Sequence, residues 1–171
     1  MDAAQALLMG IDKERSSYSF YKTASDFCRD PAGQRMFASL ADIELGHVRY
    51  LESLYSGLTS DGAWQLSAVE EVPTCPANIE RPDLFPCIPE EEQKCAGVED
   101  DLRILSDAIK RESDAREFYR GLASKIEDPT GKTVFEYLEN EEVAHERILT
   151  EAHQHLADTG AWHRPDVRGM E

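Results

Sequence analysis

The sequence predicts an all-α protein, a four-helix bundle made of two repeated helical hairpins joined by a long crossover. The segment from Glu14 to Leu51 recurs without a gap, 98 residues later, as Glu112 to Leu149, with 12 identities in 38 aligned positions. Chance alignment would give about two identities, so the repeat is genuine. Within each copy the apolar residues recur at steps of three, four or seven, which is the spacing of one helix face.

The leading helix of the first hairpin is predicted to end near Arg29. One of its faces carries six side chains at helical spacing: Leu7, Ile11, Glu14, Tyr18, Tyr21 and Cys28. Asp30 followed by Pro31 is typical of a helix N-cap with proline in the first turn. The same pair recurs as Asp128 and Pro129, so a tight turn between two helices is predicted twice.

The trailing helix of each hairpin carries a glutamate and a histidine on an apolar face. The residues of that face lie at offsets of 3, 7, 10 and 14 from the first one: Phe37, Leu40, Glu44, His47 and Leu51, repeated as Phe135, Leu138, Glu142, His145 and Leu149. These offsets keep each set on one side of its helix. A charge among Phe and Leu side chains must be paired, protonated or bound to a metal.

The domain is predicted to span residues 1–158, with hairpin 1 at about 3–58, the crossover at about 59–98 and hairpin 2 at about 99–158. Five prolines forbid a continuous helix through the crossover: Pro73, Pro76, Pro82, Pro86 and Pro89. About 40 residues can span the length of the bundle, so hairpin 2 is expected antiparallel to hairpin 1 around a twofold axis. Two chains could also exchange hairpins. The tail, residues 159–171, is expected to be poorly ordered.

The composition excludes several classes of partner. The chain has 34 acidic and 18 basic residues and a formal charge of −16, which repels nucleic acids and anionic membranes. Because no membrane span or signal peptide is recognised, a cytoplasmic location is expected. The four cysteines form no CxxC pair and are expected as free thiols. A redox or metal role for Cys75, Cys87 and Cys95 in the crossover stays open.

Collecting the inward polar residues gives a candidate metal site. Four helices contribute four carboxylates and two imidazoles: Glu14, Glu44, His47, Glu112, Glu142 and His145. This is the ligand plan of di-metal carboxylate bundles, in which two helices each give a Glu and two others each give a Glu-x-x-His motif. Carboxylates suit hard cations, and imidazole favours iron or manganese over magnesium. Glu139 and Glu141 are expected in solvent, because their counterparts are Ala41 and Ile43.

The chain resembles the rubrerythrin-like branch of the ferritin-like superfamily from about residue 3 to 156, apart from the crossover. The segments that carry the resemblance are "DKERSSYSFY", "SLADIELGHVRYL", "IKRESDAREFY" and "YLENEEVAHERIL". It implies that Glu44 and Glu142 bridge two metals, while the terminal ligands are Glu14, Glu112, His47 and His145. Tyr21 and Tyr119 resemble tyrosines that hydrogen-bond the ligand carboxylates, although plain core packing is the alternative.

The resemblance implies a non-haem di-iron oxidoreductase with two iron ions per site, or manganese or zinc in their place. It would reduce hydrogen peroxide or dioxygen with an external electron donor, such as a rubredoxin-like protein, and form a homodimer. The chain departs from typical rubrerythrins at Ala115, where they hold a further glutamate, and it shows no rubredoxin domain. A ferroxidase or iron-storage protein and a non-catalytic metal-binding helical module are the alternatives.

Three histidines fall outside the ligand set. They lie late in the last helix or in the tail: His153, His155 and His163. Histidine near the end of a helix complements the helix dipole, which is the simpler interpretation. A second metal site there is the alternative.

Overall fold

The computed structural model describes residues 1–62, 64 and 98–162, and these form a bundle of four helices without a strand. The helices are α1 (Ala3–Phe27), α2 (Pro31–Asp61), α3 (Val98–Lys125) and α4 (Pro129–Thr159). The predicted all-α fold is therefore confirmed. Within the described ranges, no helix is both long enough and apolar enough to cross a membrane. Most of the predicted crossover, including Cys75, Cys87 and Cys95, lies outside the described residues.

The predicted turns between paired helices are confirmed by their capping contacts. The carboxylate of Asp30 accepts a hydrogen bond from the backbone N–H of Ala32, and Pro31 occupies the first turn of α2. Asp128 accepts from the backbone N–H groups of Thr130 and Gly131 at the start of α4. These contacts satisfy N–H groups that have no partner within the helix, which is why each hairpin turns so tightly.

Two apolar clusters, each drawing on all four helices, show that the hairpins are antiparallel. One cluster includes Tyr21 from the second half of α1 and Leu105 from the first half of α3. The other includes Leu7 from the start of α1 and Tyr119 from the later part of α3. Since the end of one leading helix shares a cluster with the beginning of the other, α1 and α3 run in opposite directions. The expected antiparallel arrangement thus brings the two repeats face to face.

The expectation of a poorly ordered tail is wrong at Trp162. This residue is only 3% exposed, and its ring meets Phe37 edge to face at a centroid distance of 6.0 Å. Its indole N–H donates to the buried carboxylate of Asp101 at 2.9 Å. A large apolar ring with a satisfied N–H gains more by packing than by remaining in water. Residues 163–171, with His163, lie outside the described residues.

Candidate metal centre

The six predicted ligand residues meet at the centre of the bundle. Each helix places its own polar residues there because they share a face with the core positions before and after them. On α1, Glu14 lies between Ile11 of one apolar cluster and Tyr21 of the other. All six side chains are essentially inaccessible to solvent: Glu14, Glu44, His47, Glu112, Glu142 and His145. Four ionisable carboxyls in such a place require compensation, because burying an unpaired charge is costly.

One group of potential ligands forms around His47. Ligand atoms of Glu14, Glu44 and His47 all lie within 4.8 Å of one another. The imidazole Nδ1 of His47 is 3.4 Å from Oε2 of Glu14 and 3.6 Å from Oε2 of Glu44. Helices α1 and α2 of the first hairpin therefore supply one half-site by themselves.

A second group forms around His145 and includes a residue of the first hairpin. Ligand atoms of Glu44, Glu112, Glu142 and His145 lie within 4.8 Å of one another. Nδ1 of His145 is 3.2 Å from Oε1 of Glu44, 3.4 Å from Oε2 of Glu142 and 3.6 Å from Oε2 of Glu112. The two imidazole rings lie nearly parallel, with centroids 5.9 Å apart.

Glu44 belongs to both groups. Its Oε2 faces His47 and its Oε1 faces His145, so one carboxylate reaches both half-sites. This is the placement that a bridging ligand needs. Glu142, for which bridging was also expected, falls only in the group around His145. Its bridging role stays a prediction.

The donor atoms of the cluster fit a bound cation. Within the part of the chain that the structure describes, ten buried atoms of these six side chains have no hydrogen-bond partner. They are Oε2 of Glu14 and of Glu112, both carboxylate oxygens of Glu44 and of Glu142, and both ring nitrogens of His47 and of His145. Buried polar atoms almost always find partners in folded proteins. Two divalent metals would offer bonds to these atoms and would match the four carboxylate charges with four positive ones.

Burial and the close approach of these side chains to one another shift several of their pKa values. Burial, and then the charge of Glu44, raises the pKa of Glu14 to about 8. Burial alone would lower the pKa of His47, but hydrogen bonding to Glu14 and Glu44 outweighs it and raises that pKa to about 9. Burial and the charge of Glu112 raise the pKa of Glu142 well above its usual value. Without metal, protons therefore occupy part of the ligand set near neutral pH.

The two tyrosines reach across the bundle to the opposite repeat. The hydroxyl of Tyr21 donates to Oε1 of Glu112, and the hydroxyl of Tyr119 donates to Oε1 of Glu14. Burial, followed by the charge of the accepting glutamate, raises the pKa of each phenol well above its usual value, so both hydroxyls keep their protons. Each leading-helix carboxylate is thus oriented by the other hairpin.

The structure corrects the expectation for Glu141. This side chain was predicted in solvent, yet only 11% of it is exposed, and its Oε2 lies 3.9 Å from Nε2 of His47. The prediction was wrong because Glu141 contacts the other hairpin, which its sequence counterpart Ile43 does not reveal. Glu139 does lie toward the surface, where it pairs with Arg120 at 2.8 Å.

The family model for rubrerythrin matches residues 103–165, which cover nearly all of the second hairpin. Over these residues the chain is similar to rubrerythrin. The match includes three of the six candidate ligands, Glu112, Glu142 and His145, and the four-helix bundle agrees with the ferritin-like fold of that family. A search of curated proteins and a search of solved structures each gave no significant match.

The internal repeat extends beyond Leu51 in the first copy and Leu149 in the second. Gly62 and Gly160 end α2 and α4 in the left-handed conformation, with φ of 66° and 69°. Two residues later stand Trp64 and Trp162, again 98 apart. The signal in the sequence is the recurrence of Gly-Ala-Trp at the same displacement of 98 residues.

Each of these tryptophans lies against the beginning of the opposite hairpin's second helix. A side chain at Gly33 would place its Cβ 2.5 Å from the ring of Trp162, and one at Gly131 would place it 2.9 Å from the ring of Trp64. Glycine at both positions therefore leaves room for the indole ring to pack against the first turn of the other hairpin's second helix. The two contacts thus pack the end of each hairpin against the other hairpin.

The remaining predicted positions contribute no donor to the cluster. Ala115, which stands where typical rubrerythrins hold a further glutamate, is buried and apolar. Nε2 of His153 lies 3.1 Å from the hydroxyl of Ser106 on an exposed surface. Within the described residues neither His153 nor His155 joins a metal-binding group.

Proposed function

We propose that this rubrerythrin-like chain is a non-haem di-iron oxidoreductase that reduces hydrogen peroxide or dioxygen with electrons from an external donor. The observation that carries the proposal is the pair of buried ligand groups joined through Glu44. A dinuclear centre needs two sets of donors within reach of a shared carboxylate, and this arrangement supplies them. We assign the metal-ligand role to all six buried side chains on that basis.

The donor set supports iron as the metal. Carboxylate oxygens stabilise the ferric state, and imidazole nitrogen suits iron and manganese better than magnesium or calcium. Two iron ions held by these residues would supply the two electrons that, with two protons, convert one hydrogen peroxide into two water molecules. We expect those electrons to return from a separate protein, such as a rubredoxin-like donor.

The protein contributes the orientation of the ligand carboxylates and the exclusion of water. Burial of every ligand side chain keeps bulk water away and strengthens the electrostatic contacts inside the site. Tyr21 and Tyr119 hold Glu112 and Glu14 by hydrogen bonds, which fixes these carboxylates while their charge environment changes.

Stopped-flow absorption spectroscopy tests the proposal directly. Protein loaded anaerobically with ferrous iron is mixed with hydrogen peroxide or with dioxygen, and the growth of ferric absorption is followed. We expect oxidation much faster than that of free ferrous ion, and a loss of this acceleration in Glu44→Ala. Oxidation at the rate of the free ion would refute the oxidoreductase assignment. Size-exclusion chromatography of the same sample should give a homodimer, whereas a large closed shell that accumulates ferric mineral would identify an iron-storage protein.

A further inference from the structure

We propose that Glu141 positions the imidazole of His47, and of His47 alone, so that the two metal positions of the proposed centre are chemically unequal. The inference rests on the proposed metal centre but goes beyond its six ligands. Glu141 touches none of the reacting groups and acts through His47, so it is a positioning residue rather than a catalytic one.

Both histidines turn the same ring nitrogen toward the ligand carboxylates. Nδ1 of His47 lies 3.4 Å from Glu14 and 3.6 Å from Glu44. Nδ1 of His145 lies 3.2 to 3.6 Å from the carboxylates of its own group. Since Nδ1 faces the donors, Nε2 of each ring points away from the metal position, and its neighbours decide which nitrogen carries the proton.

The surroundings of the two Nε2 atoms differ. Behind His47 lies the carboxylate of Glu141, with Oε2 at 3.9 Å from Nε2, an ion-pair distance rather than a direct hydrogen bond. The residue 98 positions earlier, on the first hairpin, is Ile43, whose side chain has no acceptor atom. Among the described residues neither Nε2 atom has a hydrogen-bond partner, so the difference between the two rings is the nearby charge of Glu141.

A second difference lies on the same side of the cluster. The edge of the Tyr137 ring meets the His47 ring at a centroid distance of 6.5 Å and an angle of 83°. The counterpart of Tyr137 in the first repeat is Ser39, which offers no ring to His145. The His47 ring is therefore held by an aromatic edge and a carboxylate, and neither group recurs in the other half of the repeat.

A carboxylate behind a metal-bound imidazole has a known physical effect. It attracts the proton to the far nitrogen, fixes the ring orientation and makes the near nitrogen a stronger donor. Removing such a group typically weakens metal binding by about 10-fold to 100-fold. Glu141 should accordingly strengthen the metal position at His47 and leave the position at His145 unchanged.

The chain offers a reciprocal pair of variants that tests this inference. Glu141→Ile copies the first repeat into the second, and Ile43→Glu does the reverse. We expect Glu141→Ile to weaken one of two zinc-binding steps about 10-fold to 100-fold in calorimetry, and Ile43→Glu to strengthen the other step by a similar factor. Glu141→Gln keeps an acceptor oxygen without the charge, so it should fall between wild type and Glu141→Ile.

Nitrogen-15 spectra of the zinc-loaded protein identify the histidine that responds. In Glu141→Ile the imidazole signals of His47 should shift while those of His145 stay in place. Glu139→Gln is the matched control, because it removes a carboxylate from the same helix at a site that pairs with Arg120 instead. That variant should bind zinc as the wild type does and show unchanged imidazole signals.

Two results would overturn the inference. One is a Glu141→Ile protein that keeps both zinc affinities, and the other is a protein whose two binding steps weaken equally or whose His145 signals shift. Circular dichroism shows whether each variant remains folded, and Glu141→Gln covers the case in which the isoleucine variant does not. A wild-type protein that binds no metal would refute the proposed function as well, whereas normal metal binding with unchanged Glu141 variants refutes only this inference.

Discussion

Metal loading near neutral pH should release protons from the ligand set. The pKa of Glu14 is raised to about 8 and that of His47 to about 9. At about pH 7 the carboxyl of Glu14 is then about 90% protonated and the imidazole of His47 about 99% protonated. Both groups must lose these protons before they can bind a metal, so about two protons leave from these two residues alone.

The sign of the pH dependence follows from the same shifts. Below pH 8 a metal competes with a proton at Glu14, and below pH 9 it competes with a proton at His47. Affinity therefore rises with pH, and the contribution of these two groups levels off above about pH 9. With two protons displaced, affinity should fall up to about 100-fold between pH 7 and pH 6, since each proton contributes a factor of about 10 per pH unit.

Calorimetric titration with zinc measures this release without oxidation of the metal. Titrations at about pH 7 in two buffers of different ionisation enthalpy give the number of protons released per metal bound. Glu139→Gln serves as the control, since its carboxylate lies on the bundle surface beside Arg120 and should leave the count unchanged. Release of less than one proton, or an affinity that does not change between pH 6 and pH 7, would show that the cluster is not protonated as its burial indicates.

Two further predictions concern metal content and packing. Glu44→Ala should lose at least one of two metals per chain, as measured by elemental analysis after anaerobic loading, because the two carboxylate oxygens of Glu44 face His47 and His145. Tyr119→Phe should keep both metals and change only the reactivity. Two metals retained by Glu44→Ala would contradict the ligand assignment. Gly33→Ala should lower the free energy of unfolding in urea by about 1–3 kcal/mol, because the new Cβ would overlap the ring of Trp162. Gly121→Ala, with open space around its Cβ, should instead raise it by about 0.5–1 kcal/mol, and equal effects of the two glycine variants would refute the packing argument.

The fold was predictable because its signals are local. Asp30 with Pro31, and Asp128 with Pro129, encode the two turns through hydrogen bonds between residues two or three apart. The apolar faces follow from a regular spacing along each helix. The burial of Trp162 was not predicted, because no local feature of the sequence shows that its ring packs against Phe37 and that its N–H donates to Asp101.

The ligand residues of the candidate site were predictable from the sequence, but the contacts between the two hairpins were not. Duplication of the Glu-x-x-His motif placed the six ligand-type residues on inward faces, and the structure brings all six together. Crosswise hydrogen bonding between Tyr119 and Glu14 could not be read from spacing, because the two residues lie 105 positions apart. Glu141 was misplaced for a related reason, since its contact is with His47 on the other hairpin.

The helices, the turns and the residue types that face inward follow from the amino-acid sequence alone, because each depends on neighbours within a few turns of helix. The groups that meet across the two hairpins are known from the folded chain and not from the sequence. The fold placed Glu44 in both ligand groups, paired each tyrosine with the opposite repeat and brought the carboxylate of Glu141 to within 3.9 Å of Nε2 of His47. The physical reason is that side chains a few ångströms apart in space can be about 100 residues apart in the chain. A repeat that is nearly symmetric in sequence can therefore fold into a site whose two halves differ.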